Sequence, residues 1–269
     1  MNYFFVHLGN YPDWLKDSIK SVKKSDESSK IYLCGDSQEK IDGIENLLLS
    51  DIASTLTLKV MNSQLWKNDP NPLWRTSIYR IFILLDIMKE TGSQDFVHFD
   101  SDVILFEGFE TAKKSIDQNS KCLHITRCND SEVVFGYSYC NSYQALHEIC
   151  EYIDIAMYNN DFLYSLIKDH PNEMQILSGI SRTGLIKDLP TIPSKEYIFD
   201  PSSYGQYLYG THGGDAPGWA GNHHAIGKLI NEGKLQVNMD KTPFATFNGV
   251  TSKIINLHIH SKKTGDINV

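Results

Sequence analysis

Asp95-Phe96-Val97-His98-Phe99-Asp100-Ser101-Asp102-Val103-Ile104-Leu105 is the stretch whose reading decides the fold. Phe96, Val97, Phe99, Val103, Ile104 and Leu105 are the residues of a buried strand, yet Asp100 and Asp102 interrupt them one residue apart. A carboxylate in apolar surroundings needs a partner or a metal ion, because its charge loses the solvation of water. A hard divalent cation accepts part of its oxygen ligands from carboxylates and leaves the rest to a phosphate group. The bland alternative is a solvated Asp-Ser-Asp turn between two strands.

Upstream of this stretch, residues 74–89 carry Ile78, Ile81, Phe82, Leu85 and Met88 on one helical face, and Gly92 ends that helix. The break at Asp69-Pro70-Asn71-Pro72 precedes it. Nearer the start, residues 3–8 read as a strand, 13–23 as an amphipathic helix, and 30–34 as a second strand ending in Gly35-Asp36. Residues 56–61 read as a third strand. Strands alternating with helices form a parallel sheet whose ligands lie beyond the carboxyl ends of the strands. That topology makes His7, Gly9, Asn10 and Asp36 rim candidates for a nucleotide base and ribose.

Downstream, residues 121–127 and 133–139 read as strands, and 143–158 and 173–180 as helices. Residues 200–221 are rich in glycine and aromatic side chains and lack periodicity, the mark of a functional loop. A helix over 222–231 and a strand over 253–260 follow. In that strand, alternation puts His258 and His260 on one face and Ile255, Leu257 and Ile259 on the other. The two imidazoles and the acidic pair are candidate metal ligands, and Lys262 or Lys263 a candidate diphosphate contact; exposed histidines on an edge strand are the bland alternative.

From Tyr79-Arg80-Ile81 through Val97 to Ile104 the chain resembles the GT-A glycosyltransferases, in particular the glycogenin-like and lipopolysaccharide galactosyltransferase branch with its Asp-x-Asp motif. The resemblance implies an α/β fold of Rossmann-like type: a mostly parallel central sheet flanked by helices, with a loop-rich C-terminal part, in one domain over 1–269. It implies transfer of a sugar from a nucleotide-diphosphate sugar, a UDP- or GDP-sugar, to a hydroxyl of a glycan acceptor, with Mn2+ or Mg2+ as cofactor. Arg80, Asp100 and Ser101 become donor contacts with Lys262, and Asp100, Asp102, His258 and His260 metal ligands. The spacing of the C-terminal histidine and lysine departs from that family's pattern.

The same resemblance makes Glu173, at a helix start, a candidate base or nucleophile, although a helix macrodipole favours a carboxylate there in any case. Asp215 in the glycine-rich loop is the rival. Trp219 and His223 are candidate acceptor contacts, since a flat aromatic face stacks on a sugar ring. Two other readings fit paired carboxylates on such a sheet. Metal-dependent nucleotidyl transfer normally needs a glycine- and lysine-rich loop after the first strand, whereas residues 8–14 hold one glycine and no basic residue. A non-catalytic carbohydrate-binding protein is the third.

Composition sets the limits. The chain has 269 residues, 41% hydrophobic and 22% charged, with a net charge of −8 and no basic block, which disfavours a nucleic-acid partner. Five cysteines without a CxxC pair are expected to be reduced and buried, in keeping with a cytoplasmic protein. No apolar run reaches the roughly 20 residues of a transmembrane helix, while association with a membrane surface stays open.

Overall fold

The computed structural model describes residues 1–38, 41–67, 72–168, 171–211, 216–265 and 267. Asp215, and the expected break over 69–71, lie outside the described residues.

Thirteen strands run in chain order as β1 Asn2–Val6, β2 Lys30–Gly35, β3 Glu45–Leu48, β4 Phe96–Phe99, β5 Val103–Leu105, β6 Leu123–Asn129, β7 Glu132–Cys140, β8 Ile186–Asp188, β9 Tyr197–Ile198, β10 Leu235–Met239, β11 Pro243–Phe247, β12 Val250–Ile254 and β13 Asn256–His258 among the described residues. The central sheet has seven strands in the order β3-β2-β1-β4-β7-β6-β8. Only β7 runs against the others, pairing antiparallel with both β4 and β6. This is the mostly parallel α/β sheet with flanking helices that the sequence predicts.

Each face of the sheet has its own core. On one face Phe4 stacks on Phe96 with ring centroids 4.8 Å apart, beneath the helices Pro72–Thr91, Tyr143–Tyr158 and Glu173–Ile180. The Pro72–Thr91 helix is buried on nearly all sides from Ser77 to Met88, with Arg80 the half-buried exception. On the other face Tyr3, Phe5, Val97 and Phe99 pack against Leu15, Ile19 and Val22 of the Asp13–Ser25 helix. That alternation of inward and outward side chains follows from the two-residue period of a strand buried on both sides.

A third core lies in the C-terminal part, where β10-β11-β12-β9 form a second sheet and Ile104, Leu257 and Ile259 join Tyr204 and Ile226. Two differences from the expected elements matter. Residues 56–61 are part of a helix, Thr55–Met61, not a strand: Ser54 caps it by accepting from the Thr57 amide, and Thr57 and Val60, three apart, are its buried pair. The third parallel strand is β3 instead. The acidic stretch is likewise two strands, because a turn with Val103 N–H donating to Asp100 C=O (3.0 Å) sends the chain out of the central sheet. β5 then pairs antiparallel with β13, placing His258 opposite Val103. The expected final strand over 253–260 is also bent into β12 and β13.

All five cysteines are buried and unpaired, as small apolar residues. No helix among the described residues is long and apolar enough to cross a membrane.

Candidate metal and donor site

Beyond the carboxyl end of β4, Asp100, Asp102 and His258 bring one ligand atom each within 4.8 Å of one another, the single such group of metal-capable side chains among the described residues. His258 Nε2 lies 3.2 Å from Asp102 Oδ1 and 3.8 Å from Asp100 Oδ2. The β5–β13 pairing makes this meeting possible, since the aspartates close one strand and precede the other while the histidine ends the third. The second oxygen of each carboxylate has its own cation: Arg80 at Asp100 Oδ1 and Lys262 at Asp102 Oδ2.

Asp102 is almost wholly buried. Burial alone raises a carboxyl pKa, but His258 and Lys262 outweigh it and hold Asp102 well below the usual carboxylate range. It is therefore an anion in a nearly dry setting, with one oxygen turned to an imidazole nitrogen. Two carboxylate oxygens and an imidazole nitrogen form a donor set that could hold a divalent metal ion. Octahedral ligands about 2.1 Å from an ion lie about 3 Å from each other, which the 3.2 Å between His258 and Asp102 matches, while Asp100 at 3.8 Å would draw closer.

Around this group sit two further charges. Arg80 reaches from the Pro72–Thr91 helix, bridging Asp100 and Glu173, whose Oε1 accepts from Arg80 Nη2 at 3.1 Å. Glu173 is buried at the first position of its helix, where Asn172 is the cap. Burial raises its pKa, and Arg80 opposes that rise. Lys262 takes a left-handed backbone (φ 59°) and lies over the Trp14 ring at 5.9 Å. A cleft of about 520 Å³ opens beside it, lined by Tyr11, Trp14, Asp17 and Lys262 among others.

The expected N-terminal rim is also connected. Gly9, with φ 95°, donates its N–H to both Asp36 oxygens at 3.1 Å, and His7 Nε2 hydrogen-bonds to the Asn10 carbonyl at 2.9 Å. Ser101 lies half-buried in the turn between the aspartates. His260 lies beside the metal-capable group rather than in it, its ring centroid 4.4 Å from that of His258. Burial, then His258, lowers its pKa to about 3. Trp219 and His223 are exposed; His223 stacks edge-on against His224, 4.1 Å between centroids.

The sequence reads 200–221 as an irregular loop, but Tyr204–Tyr209 is a helix, and the turn at its start, missed in the sequence, supports His258. The buried Asp200 carboxylate accepts four main-chain N–H groups: Ser203 (2.7 Å), Tyr204 (2.8 Å), Gly205 (2.9 Å) and His258 (2.9 Å). Burial raises its pKa against those four donors. Ser202, buried and at φ 71°, places Oγ 3.3 Å from His258 Nδ1 and also against His260 Nε2. Two glycines make room: a methyl on Gly136 lies 2.8 Å from His258 Nδ1, and one on Gly205 runs into the His258 carbonyl. An Asp-Pro-Ser-Ser run before Tyr204 is a helix-start signal in the sequence, but its partner lies 58 positions away.

No family model and no curated protein sequence matches the chain. Among solved structures, it is similar to a galactosyltransferase, LgtC, in complex with donor and acceptor sugar analogues (TM-score 0.48, 12% identity, covering 74% of this chain and 76% of that one). It is similar to mouse xyloside xylosyltransferase 1 (TM-score 0.46, 10% identity, 71% and 86%). The glycosyltransferase GlyE of Streptococcus pneumoniae is a further such structure (TM-score 0.45, 17% identity, 70% and 44%). Likeness at this level carries no residue role or substrate across to this chain.

Proposed function

We propose that this chain is a metal-dependent glycosyltransferase of the GT-A type, moving a sugar from a UDP- or GDP-sugar to a hydroxyl of a glycan acceptor. The observation that carries the reading is the meeting of Asp100, Asp102 and His258 at the carboxyl end of β4, with Lys262 against Asp102. Mn2+ or Mg2+ held by those three residues would supply charge to neutralise the diphosphate leaving group. Lys262, on the wall of the cleft, adds an ammonium within reach of the same leaving group. Arg80, locked between Asp100 and Glu173, is held in one orientation toward the donor sugar.

Glu173 is the candidate base or nucleophile, Asp215 its rival; burial raises the Glu173 pKa against Arg80, the direction that strengthens a carboxylate as a base. His7, Gly9, Asn10 and Asp36 line the rim for base and ribose, with Ser101 beside the phosphates. Trp219 and His223, exposed on the C-terminal part, offer a stacking face and a polar group to the acceptor.

The test is a thermal-shift screen of nucleotide-sugars with and without Mn2+, followed by detection of released product. Ligands that bind only the native state raise the melting temperature by mass action. At least one nucleotide-sugar is expected to give a Mn2+-dependent rise, with slow release of nucleoside diphosphate. Asp102→Ala should abolish the rise. Pyrophosphate as the product would point to nucleotidyl transfer, binding without any turnover to a carbohydrate-binding protein, and an undiminished rise in Asp102→Ala would overturn the metal assignment.

A further inference from the structure

Ser202 Oγ lies between two imidazoles, 3.3 Å from His258 Nδ1 and in contact with His260 Nε2. A hydroxyl has one hydrogen to donate, so between two ring nitrogens it donates to one and accepts from the other. The direction matters. Were Ser202 to donate to His258 Nδ1, the His258 proton would sit on Nε2, the nitrogen turned to Asp100 and Asp102, and no lone pair would face them. With the opposite direction, His258 Nδ1–H donates to Ser202 Oγ, Ser202 O–H donates to His260 Nε2, and His258 Nε2 is open.

The backbone holds this arrangement in place. Asp200 grips the N–H groups of Ser203, Tyr204 and Gly205 and, on the same carboxylate, the N–H of His258. Ser202 is thereby kept in a left-handed conformation (φ 71°) uncommon for a residue with a side chain, and that conformation aims its hydroxyl at the two rings. Hydrogen bonds of this kind to the far nitrogen of a metal-binding histidine fix its tautomer and ring orientation.

Resting on the metal reading above, we propose that Ser202 and His260 are positioning residues: together they set the His258 tautomer that offers Nε2 to the metal, and His260 is not itself a ligand. The experiment counts Mn2+ bound to the full chain by electron paramagnetic resonance, without any sugar donor. Ser202→Ala and His260→Ala are each expected to weaken Mn2+ binding about tenfold. Because both act through one hydrogen-bond chain, the double variant should bind no more weakly than either single one. His258→Ala and Asp102→Asn serve as controls and should lose most of the binding.

Wild-type affinity in Ser202→Ala overturns the proposal, as do losses that add in the double variant, which would make His260 a ligand in its own right. Should Ser202→Ala fail to fold, half-buried His260 carries the same test, its loss expected to vanish in a His258→Ala background. Controls that keep full Mn2+ affinity would sink the metal reading and this inference together; controls that lose it while Ser202→Ala does not would sink this inference alone.

Discussion

Asp200 shows how much a single buried side chain holds in this protein. Its two oxygens satisfy the first amides of the Tyr204–Tyr209 helix and the amide of His258 on a different strand. Charge-assisted bonds to backbone N–H groups are among the stronger ones, and a buried donor left without an acceptor costs the full loss of its hydration. Asp200→Ala is expected to lower the unfolding free energy by about 3 kcal/mol or more in urea titration, and to weaken Mn2+ binding with it. A variant with wild-type stability would show that these amides find water instead. At the same scale Asp102 differs from Glu173: both are buried, but His258 and Lys262 beside Asp102 outweigh its burial, whereas Arg80 alone does not offset that of Glu173.

At the scale of elements, the close contact between the Tyr204–Tyr209 helix and β13 depends on Gly205 having no side chain. In an exposed helix, replacing glycine by alanine gains about 1 kcal/mol. Here the added methyl meets the His258 carbonyl, so the sign reverses. Gly205→Ala is expected to lose about 2 kcal/mol, a drop on the order of 5 °C in melting temperature for a chain of this size, read by calorimetry. A melting temperature equal to or above that of the wild type would refute the close approach. Elements also show where local pattern misleads. Residues 56–61 alternate like a strand, yet the Ser54 cap and the contact of Thr57 Oγ1 with Asp86 (2.5 Å) fix a helix against the Pro72–Thr91 helix.

Across the whole molecule, several histidines are buried in uncharged form, and this sets its response to acid. Burial lowers His124 to about 4, and it stacks on Tyr139 and is not one of the metal-capable group. Because its folded pKa lies below the 6.5 of the free side chain, the unfolded chain takes up a proton that the folded one refuses. The stability it contributes is complete above about pH 6.5 and is lost as pH falls toward 4. Between pH 7 and pH 5 this one group accounts for about 2 kcal/mol or less. His98 and His224, lowered by burial to about 3 and about 4, act in the same direction. Urea unfolding at the two pH values should show a smaller difference in His124→Gln than in wild type; an equal difference would mean that His124 does not titrate in this way.

The residues themselves determined the alternation of strands and helices, the apolar strand broken by Asp100 and Asp102, and the resemblance that points to Arg80, to His258 or His260, and to Lys262 or Lys263. Those features are local: a strand's two-residue period, a helix's 3.6-residue period and a charge among apolar neighbours are all legible within about 20 residues. Only the tertiary structure decided that the acidic stretch leaves the central sheet at its own turn, that β5 pairs with β13 across 150 intervening positions, and that Asp200 and Ser202 stand behind His258. Hydrogen bonds between distant segments follow from which strands become neighbours, and the packing of three separate cores chooses those neighbours. No local pattern in the chain encodes that choice.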